Sequence, residues 1–312
     1  MRILITGIHG FVGSNLVKAL ADGNTIYGLD IVAPEKEGVT KTYSWDDLDK
    51  GLVPEVDAII HLAGKAHDTK NKSKAQVYFD INTGLTERIY DYYVKSDAKK
   101  FIFFSSVKAA ADFVPGDVLT EDVVPAPVGP YGESKIKAEE YIKAHPTDKR
   151  VYILRPCMIH GPGNKGNLNL LYSVVKKGIP WPLGAFENRR TFTSIDNLSF
   201  IIGGLLEKEV ESGIYHIADD EALSTNELIE VMCGAMGRKS RIWRINRGLM
   251  EGCAKIGDVL HLPLNTDRLN KLTENYVASN NKIKRALGVD HLPVTAKDGL
   301  TKTIRSFENT RG

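Results

Sequence analysis

Short apolar runs alternate with longer amphipathic stretches through the first two thirds of the chain, the pattern of a parallel sheet joined by crossover helices. Residues 2–6, 25–32, 57–63, 100–105 and 151–155 read as buried strands, because each is a short, nearly unbroken apolar run. Between them, residues 11–21, 74–95 and 131–144 read as helices. The texture changes over 161–190, where GPGNKGN, an apolar helical run and GIPWPLG follow one another, so the chain is expected to leave the sheet there and return over 191–206. Past 214–218 the remainder reads as mostly helical, with a basic cluster from Arg238 to Arg247. The expected division is therefore 1–160 with a return near 191–218 as one unit, and 161–190 with 219–312 as a smaller lobe.

Composition narrows the function classes without changing this outline. A chain of 312 residues can bury a full core, either as one large domain or as two unequal lobes sharing a cleft. Lys and Arg number 41 against 39 Asp and Glu, so no whole-chain field points to nucleic acid or a membrane surface, and an anionic substrate needs a local basic pocket. Cys157, Cys233 and Cys253 are too widely spaced for a metal site and imply no disulfide framework, which reads as reduced thiols in a cytoplasmic protein. No metal is expected. No apolar run approaches the roughly 18 residues of a membrane span, and no secretory signal pattern opens the chain.

Chemistry enters at the first strand-to-helix turn. Gly7, Gly10 and Gly13 stand between the strand 2–6 and a helix that begins at Phe11 and Val12. Glycine there lets the turn tighten and lets a pyrophosphate approach main-chain N–H groups at the positive end of the helix. Asp30, 17 residues after Gly13 at the end of the second strand and followed by Ile31, is placed to accept hydrogen bonds from ribose hydroxyls and to repel a 2′-phosphate. That favours NAD over NADP. Leu62, Ala63 and Gly64 end the strand 57–63 at the carboxyl edge where such sheets bind ligands; they line the adenine and ribose side of the cofactor or simply pack closely. His61 reads as a core histidine, while Lys65 and His67 face either the site or solvent.

Tyr131 and Lys135 are four residues apart near the start of a helix, hence on one face and about 6 Å apart along its axis. Lowering a phenol from its reference value near 10 to about 7 takes roughly 4 kcal/mol, which an ammonium and an oxidised nicotinamide ring can supply. Tyr131 then serves as a general base for a sugar or alcohol hydroxyl. Ser105 and Ser106 end the strand 100–105 on the same edge, so a serine hydroxyl can bond the reacting oxygen.

Taken together, GIHGFVGSNL, AIIHLAG, FFSSV, PYGESKIKAEEY, LRPCMIHGPG and RRTFTSIDN resemble the extended short-chain dehydrogenase/reductases, the NAD-dependent epimerase/dehydratases of nucleotide sugars. The resemblance covers most of the chain and implies an α/β Rossmann fold, a doubly wound parallel sheet with a smaller, mostly helical C-terminal substrate lobe. It assigns Ser106, Tyr131 and Lys135 as the catalytic triad, with Gly7, Gly10, Gly13 and Asp30 at NAD-binding positions. Family members that have lost the tyrosine or lysine serve as binding or regulatory proteins; here both are present. The dehydratase branch carries an Asp-Glu pair after the catalytic Ser or Thr, whereas this chain has Val107 and Lys108, and a valine cannot protonate a leaving hydroxyl.

What remains is C4 epimerisation of a UDP-hexose or UDP-N-acetylhexosamine, or reduction of a UDP-4-keto-6-deoxy-hexosamine, in bacterial surface-polysaccharide synthesis. A non-catalytic nucleotide sensor is the alternative from another class. For the diphosphate, Arg190 matches the family's R-[DT]-[FY]-x-x-[VI]-D arginine, with Arg189, Asn167, Asn169 and Lys108 as further substrate contacts and Arg268 or Lys271 as a second cation. Met158 stands where the family often has a diphosphate-binding asparagine. The stretch 181–186 covers the uracil or sugar, or packs beneath the lobe. A homodimer through the helices at 74–95 and 131–144 is implied by the resemblance.

Overall fold

Seven parallel strands form one sheet in the order β3-β2-β1-β4-β5-β6-β9: β1 (Arg2–Thr6), β2 (Thr25–Leu29), β3 (Lys41–Tyr43), β4 (Ala58–His61), β5 (Lys100–Phe104), β6 (Arg150–Pro156) and β9 (Gly213–Ile217). The structure is a computed structural model that describes residues 1–66, 74–164, 166–262 and 264–309. From β1 the chain runs outward to β2 and β3, then returns across β1 to β4, so the order reverses between β1 and β4. Such a reversal opens a crevice at the carboxyl edge, where doubly wound sheets bind ligands.

The strands read as continuous apolar runs because helices cover both faces. Ile3, Ile5, Ala58, Ile60, Ile102 and Leu154 point to one side and pack with Leu16 and Val17 of the helix Phe11–Leu20 and with Leu198, Ile201 and Leu205 of the helix Ile195–Glu207. Leu4, Ile59, Phe101, Phe103 and Ile153 point to the other, against Ile89, Tyr90 and Tyr93 of the helix Leu85–Lys95 and Ala138 and Ile142 of the helix Pro130–Ala144. Further clusters form from the later chain. Leu168 and Tyr172 join Leu228, Met232, Leu300 and Ile304, while Leu183 packs with Met250, Ala254 and Leu269. Ile283, Leu287 and Leu292 belong to the sheet's own core.

Three features differ from the sequence pattern. The run at 25–32 pairs only as far as Leu29, and Ile31 and Val32 are exposed beyond it. The stretch 74–95 is broken into Ala75–Tyr78, a π-helical turn Phe79–Gly84 and Leu85–Lys95, with the helix-disfavouring Asn82, Thr83 and Gly84 at the widened turn. Two short strands, β7 (Met158–His160) and β8 (Phe192–Ser194), pair in parallel outside the main sheet, a contact between distant segments that three-residue runs do not announce.

One polar group crosses the apolar layer beneath the carboxyl edge. Glu139 is fully buried, accepting from Arg155 Nε and Nη2 at 2.9 and 2.6 Å and from the Ser105 hydroxyl at 2.5 Å. Removing one member of such a pair strands a buried charge. Arg155→Met is therefore expected to lower stability by about 3–5 kcal/mol in denaturant melts, and Arg155→Met with Glu139→Leu to recover most of it. Equal losses in the single and double variants would show that the pair is not what holds this layer.

Candidate active site

The glycine loop closes on itself at the end of β1. Gly7 lies at φ +66°, its N–H donates to the Leu29 carbonyl at 2.8 Å, and the Gly10 N–H donates back to the Gly7 carbonyl at 3.0 Å. A Cβ on Gly7 would stand 2.9 Å from the Ala63 nitrogen, and one on Gly13 would stand 2.6 Å from the Gly7 oxygen. Gly10 caps the helix Phe11–Leu20 without a side-chain acceptor, so nothing from its own side chain covers the first-turn N–H groups. Asp30 lies against this loop, accepting from the His9 N–H at 3.0 Å and the Ile31 N–H at 2.7 Å. These features fit a dinucleotide: a cradle without side chains, an open helix N-terminus and a carboxylate at the second strand's end. Phe11 and Val12 are partly buried in the first turn, whereas Ile31 turns its side chain outward.

Beyond β4, Leu62 and Ala63 donate their N–H groups to the Thr6 hydroxyl at 3.1 and 2.9 Å. With both lone pairs taken, the Thr6 proton goes to His61 Nδ1 at 2.7 Å, leaving Nε2–H to donate to Thr86 Oγ1 at 3.0 Å. Thr86 in turn donates to the Asn82 carbonyl at 2.6 Å. His61 is thus the core histidine its sequence context suggests, with burial first and Lys135 second holding its pKa well below the ordinary range. The next link is Asn82, whose side chain accepts from the Lys65 N–H and donates to the Lys65 carbonyl and to Ser134 Oγ. Ser134 donates to the carbonyl of Tyr131. His67 lies outside the described residues.

This network sets the tyrosine helix beside the glycine loop. Lys135 is buried, its Nζ donating to the Phe104 carbonyl at 2.8 Å, and a Cβ on Gly64 would come within 3.2 Å of that nitrogen. With Asn82 Oδ1 nearer still at 2.9 Å, Gly64 is small because its surroundings pack closely. Ser106 caps the short helix Val107–Ala110, accepting from the Lys108 N–H at 3.2 Å, and hydrogen-bonds Tyr131. Tyr78 meets the Tyr131 ring edge-on at 6.3 Å between centroids.

The protein alone does not acidify the phenol: burial raises the Tyr131 pKa, only partly opposed by Ser106. Burial also brings Lys135 down to about 8, with Glu139 opposing the fall.

The expected substrate residues are less uniformly convergent. Lys108 Nζ pairs with Asp112 at 2.9 Å and sits 4.7 Å above the Tyr276 ring. Arg190 pairs with Glu274 at 2.8 Å and donates to the main-chain carbonyls of Glu274 and Lys271, so its guanidinium is committed to the loop between Lys271 and Tyr276. Asn167 is exposed on the first turn of the helix Asn167–Lys176, and Asn169 caps that helix through the Gly166 N–H. Arg189 is exposed, Lys271 pairs with Asp267, and the Arg268 N–H is bonded to Asn265. Met158 is partly exposed. Within 181–186, Leu183 is buried and Trp181 and Phe186 pack around it, the packing alternative.

Residues the motif reading did not single out are Thr6, Asn82, Glu139 and Arg155. Glu139 left a signal, since it shares a buried helical stripe with Lys135, Ala138 and Ile142.

A model of the NAD dependent epimerase/dehydratase family matches residues 3–218. The UDP-glucose 4-epimerase of Vibrio cholerae is 30% identical, with 98% of this chain and 95% of that protein aligned. An Escherichia coli O157:H7 protein, N-acetyl-alpha-D-glucosaminyl-diphospho-ditrans,octacis-undecaprenol 4-epimerase, is also 30% identical, over 76% of this chain and 73% of its own length. In fold, the chain superposes over its full length on all of the Bacillus cereus UDP-glucuronic acid 4-epimerase solved with NAD, at a TM-score of 0.76 and 20% identity.

Two measurements follow. Gly13→Ala places a methyl group against the Gly7 carbonyl and is expected to abolish retention of NAD on gel filtration; NAD retained at the wild-type level would count against the loop as the cradle. Lys135 is protonated up to about 10.5 in the unfolded chain but only to about 8 in the fold. Between those values the unfolded state holds the extra proton, so stability should rise with pH by up to about 1.4 kcal/mol per unit, and that component should vanish in Lys135→Met. Parallel pH–stability curves for the two proteins from pH 8 to 10.5 would refute it.

Proposed function

The chain belongs to the NAD-dependent epimerase/dehydratase family, and we propose that within it the protein is a 4-epimerase of a UDP-hexose or UDP-N-acetylhexosamine. The observation that supports this reading is the hydrogen bond between Ser106 and Tyr131, with Lys135 one helical turn on and anchored to the Phe104 carbonyl, and with the buried side chain of Val107 where a dehydratase needs an acid. Likeness to an enzyme whose substrate bears an N-acetylglucosaminyl group supports the N-acetylated substrate, and a role in surface-polysaccharide synthesis goes with it.

Ser106 holds the sugar 4-hydroxyl at the position where it now bonds Tyr131, and Tyr131 Oη takes the proton as the C4–H bond breaks and returns it afterwards. Gly7, Gly10, Phe11, Val12, Gly13, Asp30, Ile31, Leu62, Ala63 and Gly64 would hold NAD, which would supply a reversible acceptor for the C4 hydride and further positive charge favouring the phenolate. Lys135, anchored on the Phe104 carbonyl, adds its own charge and fixes the distance between helix and sheet. Epimerisation requires the sugar to present its other face between the two transfers, which favours loose contacts to the hexose and firm ones to the diphosphate. For the latter we assign Arg190 and Asn167, with Lys108 nearer the sugar and Arg268 or Lys271 as the second cation. Residues 1–160 with 191–218 then hold NAD, while 161–190 and 219–312 hold the nucleotide sugar. The helices Leu85–Lys95 and Pro130–Ala144, joined by the Tyr141 hydroxyl and Asp91 at 2.7 Å, are the pair through which we expect a homodimer to form.

Incubated with UDP-galactose, UDP-glucose and their N-acetylamino counterparts, the purified protein should interconvert one C4 pair without net change in nicotinamide absorbance. Tyr131→Phe should lower that rate by about 10²–10⁴ while keeping NAD bound. Stoichiometric consumption of reduced cofactor on a 4-keto sugar, with no interconversion, would make the protein a reductase instead.

A further inference from the structure

The helix Arg247–Leu260 carries two apolar stripes where a surface helix needs one. Met250, Ala254 and Gly257 are buried, the first two packing with Leu183 and Leu269. About a quarter of a turn around the axis, Leu249, Cys253, Ile256 and Leu260 fall on a second line, at spacings of four, three and four residues. This line faces outward: Leu249 is 60% exposed, Ile256 57% and Leu260 62%, and Val259 beside them is 77% exposed. Trp243 and Leu262 extend the apolar surface at either end. Contiguous apolar surface of this kind marks an interaction site.

Charge identifies what the surface fits. Between residues 238 and 260 stand six cations, Arg238, Lys239, Arg241, Arg244, Arg247 and Lys255, against Glu251 and Asp258, a local net of +4 in a chain whose net is +2. All six are exposed. Arg238 and Arg247 each give a donor to a main-chain carbonyl yet leave their charge at the surface. The two carboxylates lie on a third side of the helix, away from the outward stripe, together with Arg247 and Lys255, so the surplus of positive charge comes from Arg238, Lys239, Arg241 and Arg244 in the segment that leads into the helix. The small net charge of the whole chain therefore averages a cationic segment with an acidic remainder.

We propose that this face docks on an anionic lipid surface, with the helix lying flat and its outward stripe in the headgroup region. A second copy of the chain is the poorer occupant, because a two-fold contact through this stripe would bring two sets of the same cations together. A helix of 14 residues, about 21 Å long, suits an in-plane position and is too short for the roughly 30 Å hydrocarbon core. Because the inner stripe rests on Leu269, in the helix Thr266–Thr273 whose Lys271 carbonyl accepts from Arg190, docking would set the Arg190 cluster close to the bilayer.

Co-sedimentation of the full chain with vesicles tests this. The protein should pellet with vesicles of equal parts phosphatidylglycerol and phosphatidylcholine, remain in solution with phosphatidylcholine alone, and be released at ~1 M salt, where the screening length falls to about 3 Å. Ile256→Asp with Leu260→Asp should weaken the partition at least ~10-fold, because charges replace the inserting side chains, with unchanged melting temperature and NAD retention. No pelleting with either vesicle, or pelleting that the double variant leaves intact, overturns the proposal. So does a dimer in sedimentation equilibrium that the same variant dissociates, which would assign the face to a second copy. None of these outcomes depends on which sugar the protein turns over.

Discussion

The active edge depends on one run of hydrogen bonds that starts at Thr6 and ends at the carbonyl of Tyr131. Thr6 closes the strand that leads into the glycine loop, and its hydroxyl gathers the two N–H groups that follow β4. His61 and Thr86 carry the run across the sheet to Asn82, which reaches Ser134 on the tyrosine helix. The side chains of Thr6, His61, Thr86, Asn82 and Ser134 are all buried, where a broken hydrogen bond strands its partner, so breaking the run is costly. It requires the π-helical turn at Phe79–Gly84, because the widened turn presents both the Asn82 side chain to Ser134 and its carbonyl to Thr86.

A second constraint lies under the first. Lys135 and Glu139 occupy one buried stripe of the tyrosine helix, and Arg155 binds Glu139 through two donors. The lysine must remain in the apolar layer to reach the Phe104 carbonyl. Burial draws its proton affinity down, and the carboxylate one helical turn away draws it back up. Ser105 also bonds Glu139, so the strand end that presents Ser106 is tied to the same charge cluster. Tyr131, raised by burial with only partial opposition from Ser106, is harder to ionise than a free phenol until further positive charge arrives beside it.

The segments around Arg190 are held by a different set of contacts. Arg190 is held by Glu274 and by carbonyls of the loop between Lys271 and Tyr276, and the hydroxyl of Tyr276 bonds the carbonyls of Val107 and Ala111. The segment next to Ser106 is thereby joined to the lobe that carries the arginine. On the diphosphate role proposed for Arg190, the ligand competes with Glu274 for the guanidinium, which couples its arrival to movement of that loop.

The chain's local pattern determined the alternation of strands and helices, the glycine turn with Asp30, and the spacing that sets Tyr131 and Lys135 on one face, because each rests on neighbours within a few residues and on the 3.6- and 2-residue periods. Val107 and Lys108 were equally legible, since they follow Ser106 directly. The pairing of β7 with β8, the partners of Asn82, and the union of Glu139 with Arg155 were not, because each joins segments that only the closed sheet brings together. Burial also reversed one expectation: the spacing of Tyr131 and Lys135 suggested a phenol easy to ionise, but in the packed interior desolvation raises the phenol against partial opposition from Ser106, while lowering the lysine.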